Sequence, residues 1–260
     1  MTAQSSPNTP LLFTPTKLRG LEIRNRIMAS PMCQYNSDDG GPNDWHMMHL
    51  GRLAIGGCGI VFGEETAVEP DGRKTHSCAG LYHQSHIAAY RRLTDMIKQH
   101  GAIPAIQLGH SGRKGSCHGA IEDWRPLTAK DAKNGLPPWQ IMTPSAAISP
   151  PRPIPPKEMD HDDIKRVIDA FRTATKRSID AGYDIVEIHG AHGYLIHQFL
   201  SSSANQRDDA YGGPLENRMR FAVEIGATVR EEWPQDKPVF FRLSAVDGKG
   251  GSWRLADSIA

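Results

Sequence analysis

In three stretches of this chain apolar residues fill every second position, and the residues between them turn polar toward the C-terminal end. The clearest cases are 238–245, where Val239, Phe241 and Leu243 alternate with Phe240, Arg242 and Ser244, and 102–109, where Pro104, Ile106 and Leu108 alternate with Ala105, Gln107 and Gly109. In 183–189, Val186 and Ile188 alternate with Ile185, Glu187 and His189. Successive side chains of a strand point to opposite faces. Each stretch therefore has one face that can pack on helices and another that carries Gln107, Glu187, His189 or Arg242. The stretches 26–32 and 59–67 complete the set of strands. Between them, 83–101 places Ile87, Tyr90, Leu93 and Ile97 on one helical face. Residues 161–182 align Ile164, Val167, Ile168 and Phe171, with acidic residues at the start and Gly182 past the end. A third helix opens near Pro214, which suits a first helical turn.

Strands alternating with helices predict a parallel sheet. Polar groups gathered at the carboxyl ends of such strands are the layout of a barrel active site. An open doubly wound sheet is the competitor, but the glycine-rich phosphate turn after its first strand is absent. The expected fold is an α/β TIM (βα)8 barrel, with 1–260 holding about its first five βα units as one domain incomplete at the C-terminus. A closed barrel typically takes about 250 residues or more, and here a long interruption uses up length. That interruption, 111–157, contains nine prolines and little periodicity. It reads as an insertion or lid after the third strand, with a loose surface loop as the alternative. Residues 1–20, rich in Ser, Thr and Pro, read as an irregular lead-in.

A net charge of +1 without any basic run gives no electrostatic case for nucleic acid or a membrane surface. No stretch is apolar for long enough to span a bilayer, and the N-terminus lacks the core of a signal peptide. Cys33, Cys58, Cys78 and Cys117 show no CxxC spacing, so a cytoplasmic protein with free thiols is expected.

The segment "EIHGAHGYLIHQFL" (187–200) places His189, His192 and His197 within nine residues. A helical zinc pair wants two histidines four apart. His192 and His197 are five apart, and no acidic third ligand is placed by spacing, so no metal is expected. His197 falls in a short helix and reads as structural. His189 and His192, with Tyr194, lie where the barrel puts its active site. There imidazole N–H groups can hold a carbonyl or nitro oxygen, and a tyrosine hydroxyl can deliver a proton.

Five segments together resemble the old yellow enzyme family of FMN-dependent ene-reductases: "NRIMASPMCQY" (25–35), "AIQLGHSGRKG" (105–115), "VEIHGAHGYLIHQFLS" (186–201), "YGGPLENRMRF" (211–221) and "FFRLSA" (240–245). The stretch "SPMCQY" is similar to the thermophilic-like or xenobiotic-reductase branch. The resemblance runs from about Leu11 to the last residue.

It implies that Ser30, Pro31 and Met32 line the flavin through backbone contacts and that Cys33 lies beside it and tunes its potential. A small buried thiol is the plainer alternative for Cys33. Gln107 is implied at the flavin pyrimidine edge, and Arg242 near N1 and O2. His189 and His192 are implied to bind the activating oxygen of the substrate, Tyr194 to protonate the carbon alpha to that group, and Tyr35 to help hold substrate. The implied reaction is ping-pong, in which NAD(P)H gives up a hydride and leaves before the β-carbon of an activated alkene receives it. Glu65 departs from the family pattern, falling where a small residue usually sits beside the flavin. Ser202 and Gln206 depart as well, at a usual proline and a usual histidine. The family's phosphate site, built on the last two strands, is not matched.

A 2,4-dienoyl-CoA reductase-like enzyme, or a flavin barrel fused to another domain, is a near rival. A barrel metal-dependent hydrolase and a non-catalytic barrel remnant are rivals from other classes. The expected partner is a small activated alkene, and homo-oligomers are common in the resembled branch.

Overall fold

In the computed structural model, which describes residues 9–248 and 250–260, the chain runs in order through β1 (Thr16–Leu18), β2 (Leu21–Ile23), β3 (Met28–Ala29), α1 (Asp44–Ile55), β4 (Ile60–Ala67), α2 (His86–Gln99) and β5 (Ile103–Gly109). There follow β6 (Met142–Thr143), β7 (Lys157–Glu158), α3 (His161–Asp180), β8 (Ile185–Gly190), α4 (Leu195–Leu200), α5 (Leu215–Glu232), β9 (Val239–Leu243) and α6 (Leu255–Ile259). The main sheet is wholly parallel, in the order β3-β4-β5-β8-β9. Its outward residues Val61, Ile106, Leu108, Val186 and Ile188 pack with Tyr90, Leu93, Ile97, Ile164, Val167 and Phe171 of the helices in one buried cluster. The alternation read from the sequence thus sets which face meets the helices.

The inward face is curved. Phe62 on β4 and Phe240 on β9 are separated by two intervening strands, roughly 14 Å in a flat sheet. Their ring centroids nevertheless lie 6.1 Å apart. Five strands curling toward a common interior make a half-barrel.

The sheet departs from the sequence expectation in three places. The first strand is only two residues long, because Pro31 has no N–H to continue a ladder. The lead-in is not irregular throughout. Residues 1–8 lie outside the described residues, but β1 and β2 pair as an antiparallel hairpin. Its Leu18, Leu21 and Ile23 pack on Ile60, Ile103 and Ile185, covering the N-terminal end of the strands. The third departure is in β4, whose register shifts between Phe62 and Glu65. Simple alternation from Phe62 would turn Glu64 inward. The bulge instead aligns Glu65 with Gln107 and leaves Glu64 to accept from the Gln34 N–H (2.8 Å) and to meet His46 of α1 (3.0 Å).

The helices read from the sequence are present. α3 opens on a capping box formed by Asp160 and Asp163 and is followed by Gly182 at φ +84°. Pro214 stands just before α5, as its N-cap rather than inside its first turn. Between β5 and α3 lie three short 3₁₀ turns and the β6–β7 pair. No helix among the described residues is long and apolar enough to cross a membrane.

Candidate active site

The inward row at the upper end of the sheet is polar. Register places Glu65, Gln107 and Glu187 side by side on β4, β5 and β8, with His189 beside Arg242 one step higher. Gln107 Nε2 donates to Glu187 Oε1 at 2.6 Å. Burial pushes the Glu187 carboxyl up, while that hydrogen bond and the Arg242 charge oppose the shift.

The turn after β8 brings the histidines together. The Ala191 N–H donates to His189 Nδ1 at 3.2 Å, which leaves the ring proton on Nε2. That nitrogen faces His192 Nδ1 at 3.3 Å, so the remaining N–H of the pair is His192 Nε2. Burial, then the charges of His192 and Arg242, push His189 down to about 3, which keeps it neutral. His192 sits in the left-handed region at φ +58°, a costly conformation for a side chain with a Cβ. Two contacts hold it there: its N–H donates to Ser244 Oγ at 3.0 Å, and its carbonyl accepts from Lys114 Nζ at 2.6 Å.

Tyr194 is buried against His189, with ring centroids 4.7 Å apart. Burial, and then the Glu65 carboxyl, raise its hydroxyl far above the usual tyrosine range, so it is a neutral donor. His197 ties this turn to the loop after β9. Its Nδ1 accepts from the Gly193 N–H at 2.8 Å, and its Nε2 lies 2.8 Å from Asp247 Oδ1.

The segment after β3 supplies the opposite wall. Cys33 is half-buried; burial and then Glu65 push its thiol up, so it stays protonated. Tyr35, at φ +53°, accepts from Lys74 Nζ at 3.0 Å and meets Trp124 edge-on at 5.2 Å. Ser30 and Met32 are exposed and Pro31 is half-buried. Glu65 is the anomaly. Its carboxyl is buried with neither oxygen hydrogen-bonded among the described residues, and a Cβ at Gly109 would overlap it. Burial, then Glu64, pushes it up to about 8 against the pull of Lys74.

The structure therefore gathers His189, His192, Tyr194, Gln107, Glu65 and Arg242 on one inward surface, with Cys33 and Tyr35 at its edge. Lys74, Lys114, Trp124 and Asp247 escaped the sequence reading. Only "GRK", which occurs as 72–74 and again as 112–114, marked the two lysines. Among the described residues, no group of three or more His, Cys, Asp and Glu side chains is placed to hold a metal ion.

Residues 11–259 match the model of the NADH:flavin oxidoreductase / NADH oxidase family. The chain belongs to that family. It is 42% identical over 239 residues to an NADPH dehydrogenase of Geobacillus sp. (strain WCH70), covering 91% of this chain and 64% of the relative. Among solved structures it superimposes on the Old Yellow Enzyme from Pichia sp. AKU4542 with a TM-score of 0.77 at 27% identity, covering 91% of this chain and 60% of that one. A 2-naphthoyl-CoA reductase complex gives a TM-score of 0.79 at 31% identity, over 93% of this chain and 36% of that protein. The chain thus spans less than two thirds of the length of these relatives. The half-barrel is the fold these neighbours share with it.

Proposed function

We propose that this chain carries the catalytic residues of an FMN-dependent oxidoreductase that uses NAD(P)H to reduce the C=C bond of activated alkenes. The observation that carries the reading is the joining of His189, His192 and Tyr194 beside the Gln107–Glu187 row. The inward surface suits the flavin ring in chemical kind. An amide at Gln107, a guanidinium at Arg242 and an unpartnered carboxyl at Glu65 answer a ring edged with N–H and carbonyl groups. Gln107 and Arg242 would hold FMN, with Cys33 and the backbone of Ser30, Pro31 and Met32 beside it. When bound, FMN supplies hydride chemistry.

The chain's own residues do the rest. His192 Nε2–H is the donor left over from the histidine pair, and it points the way for a substrate carbonyl or nitro oxygen. Withdrawing electron density through that oxygen makes the β-carbon electrophilic. Both histidines being neutral, they act as hydrogen-bond donors and give up no proton at neutral pH. Tyr194 then delivers its hydroxyl proton to the α-carbon. Tyr35, locked to Lys74, walls the substrate from the other side.

The reading is tested by following NADH and NADPH consumption with and without 2-cyclohexenone and identifying the product. Consumption that depends on the enone and yields the saturated ketone is expected. Failure of both nicotinamides with a flavin-loaded preparation contradicts it. The 2-naphthoyl-CoA reductase match, which covers only a third of that protein, favours a second reading in which the same chemistry sits within a larger reductase.

A further inference from the structure

Lys74 and Lys114 reach the same tyrosine from two different loops. Their amines lie 6.0 and 5.7 Å from the Tyr194 ring centroid. Neither forms an ion pair among the described residues: Lys74 donates to the Tyr35 hydroxyl, and Lys114 donates to the His192 carbonyl. Two arginines near them are balanced differently. Arg73 pairs with Asp39 at 3.4 Å, and Arg125 pairs with Glu122 and Asp131 at 3.0 and 3.1 Å. Two uncompensated ammonium groups beside the proton donor are therefore a local feature of a chain whose net charge is only +1.

We infer that Lys74 and Lys114 form an anion subsite, so that the substrate is an activated alkene bearing a carboxylate apart from its activating carbonyl, as in an unsaturated keto acid. This rests on the ene-reductase reading. The wall of the subsite is aromatic: Lys74 Nζ stands 3.4 Å from the Trp124 ring centroid and 5.3 Å from that of Tyr35. Such rings steady a cation without neutralising it and offer a flat face to a conjugated ligand. The two lysines also repel each other. Burial and then the Lys74 charge push Lys114 below the ordinary lysine range, a cost that a bound anion relieves. The buried Glu65 carboxyl makes no hydrogen bond to Lys74 among the described residues, so it leaves the cation available. The histidine pair would take the carbonyl oxygen while the lysines take the carboxylate, fixing which alkene carbon faces Tyr194. A neutral enone has nothing to offer the lysines.

The test uses benzoate and its neutral isostere benzamide, titrated into the purified flavin-loaded protein at low salt. Binding is read from tryptophan fluorescence, with Trp124 as the reporter beside Lys74. Benzoate should bind at least about tenfold more tightly than benzamide, the size of one charge-assisted contact. Sodium chloride should erode that preference. K74M and K114M should each bring the ratio toward one, and K74R should retain most of it. Equal affinities, no saturable benzoate binding, or a full preference surviving in both methionine variants would overturn the subsite. If K74M fails to fold, K114M and the salt series decide. Enone-dependent NAD(P)H consumption by the same preparation separates the two readings. Its presence with equal affinities removes only the anion subsite, and its absence with a lysine-dependent preference removes only the ene-reductase reading.

Discussion

The two faces of β5 and β8 are made of neighbouring residues and have opposite economies. Outward, Ile106, Leu108, Val186 and Ile188 are fully buried among helices and hold the half-barrel together. Inward, one residue away in each case, Gln107, Glu187 and His189 are buried as well, but they bury polar groups. Burying apolar area favours folding, whereas burying a polar group without a full set of partners opposes it. The inward row is thus a standing cost to the fold, and it has a use only if something binds there. Stability and chemistry are divided by the two-residue period of a strand.

The sharpest way to break this division is to damage each face and measure both properties. Phe171→Ala empties a fully buried site on α3 and should destabilise the protein by about 3–5 kcal/mol in urea unfolding. Flavin bound per folded molecule should stay unchanged. Tyr194→Phe should do the reverse. Alkene reduction should fall by roughly 10²- to 10⁴-fold, while thermal unfolding stays close to that of the parent.

Glu65→Gln tests the cost directly. The carboxyl ionises near the ordinary glutamate value of 4.5 in the unfolded chain but only at about 8 in the folded one. An acid whose folded value is raised stabilises least when ionised. Stability should therefore fall by about 1.4 kcal/mol per pH unit between those two values. The glutamine variant should lack that slope in unfolding measured from pH 4.5 to 8, and an unchanged slope would assign the pH dependence elsewhere. The smallest effect belongs outside both faces. Met48, 66% exposed on α1, should tolerate replacement by lysine within about 0.5 kcal/mol.

Much of the architecture was legible because period-two and helical patterns mark their elements locally. β5, β8, β9, α2 and α3 all show them. α1 did not, because its apolar residues Trp45, Met48, Leu50 and Ile55 face several directions and three of them are exposed. The β1–β2 hairpin was too short to display a period. The inward turn of Glu65 depends on a bulge that alternation cannot reveal.

Within the candidate site, His189, His192 and Tyr194 were legible together because one strand and its following turn carry all three. Lys74, Lys114 and Trp124 come from separate loops. Their convergence on Tyr35 and Tyr194 is tertiary, and no local pattern announces it. His197 lies against Asp247, a partner fifty residues away and beyond any spacing argument.

The central claim is that the inward polar row is a flavin-binding surface. It is tested most directly by titrating FMN into the purified protein and following the visible absorption band and the quenching of flavin fluorescence. Saturable binding is expected, weakened in Gln107→Leu and in Arg242→Met while the unfolding midpoints of both variants stay near that of the parent. Absence of saturable binding, or binding untouched by both substitutions, would contradict the account.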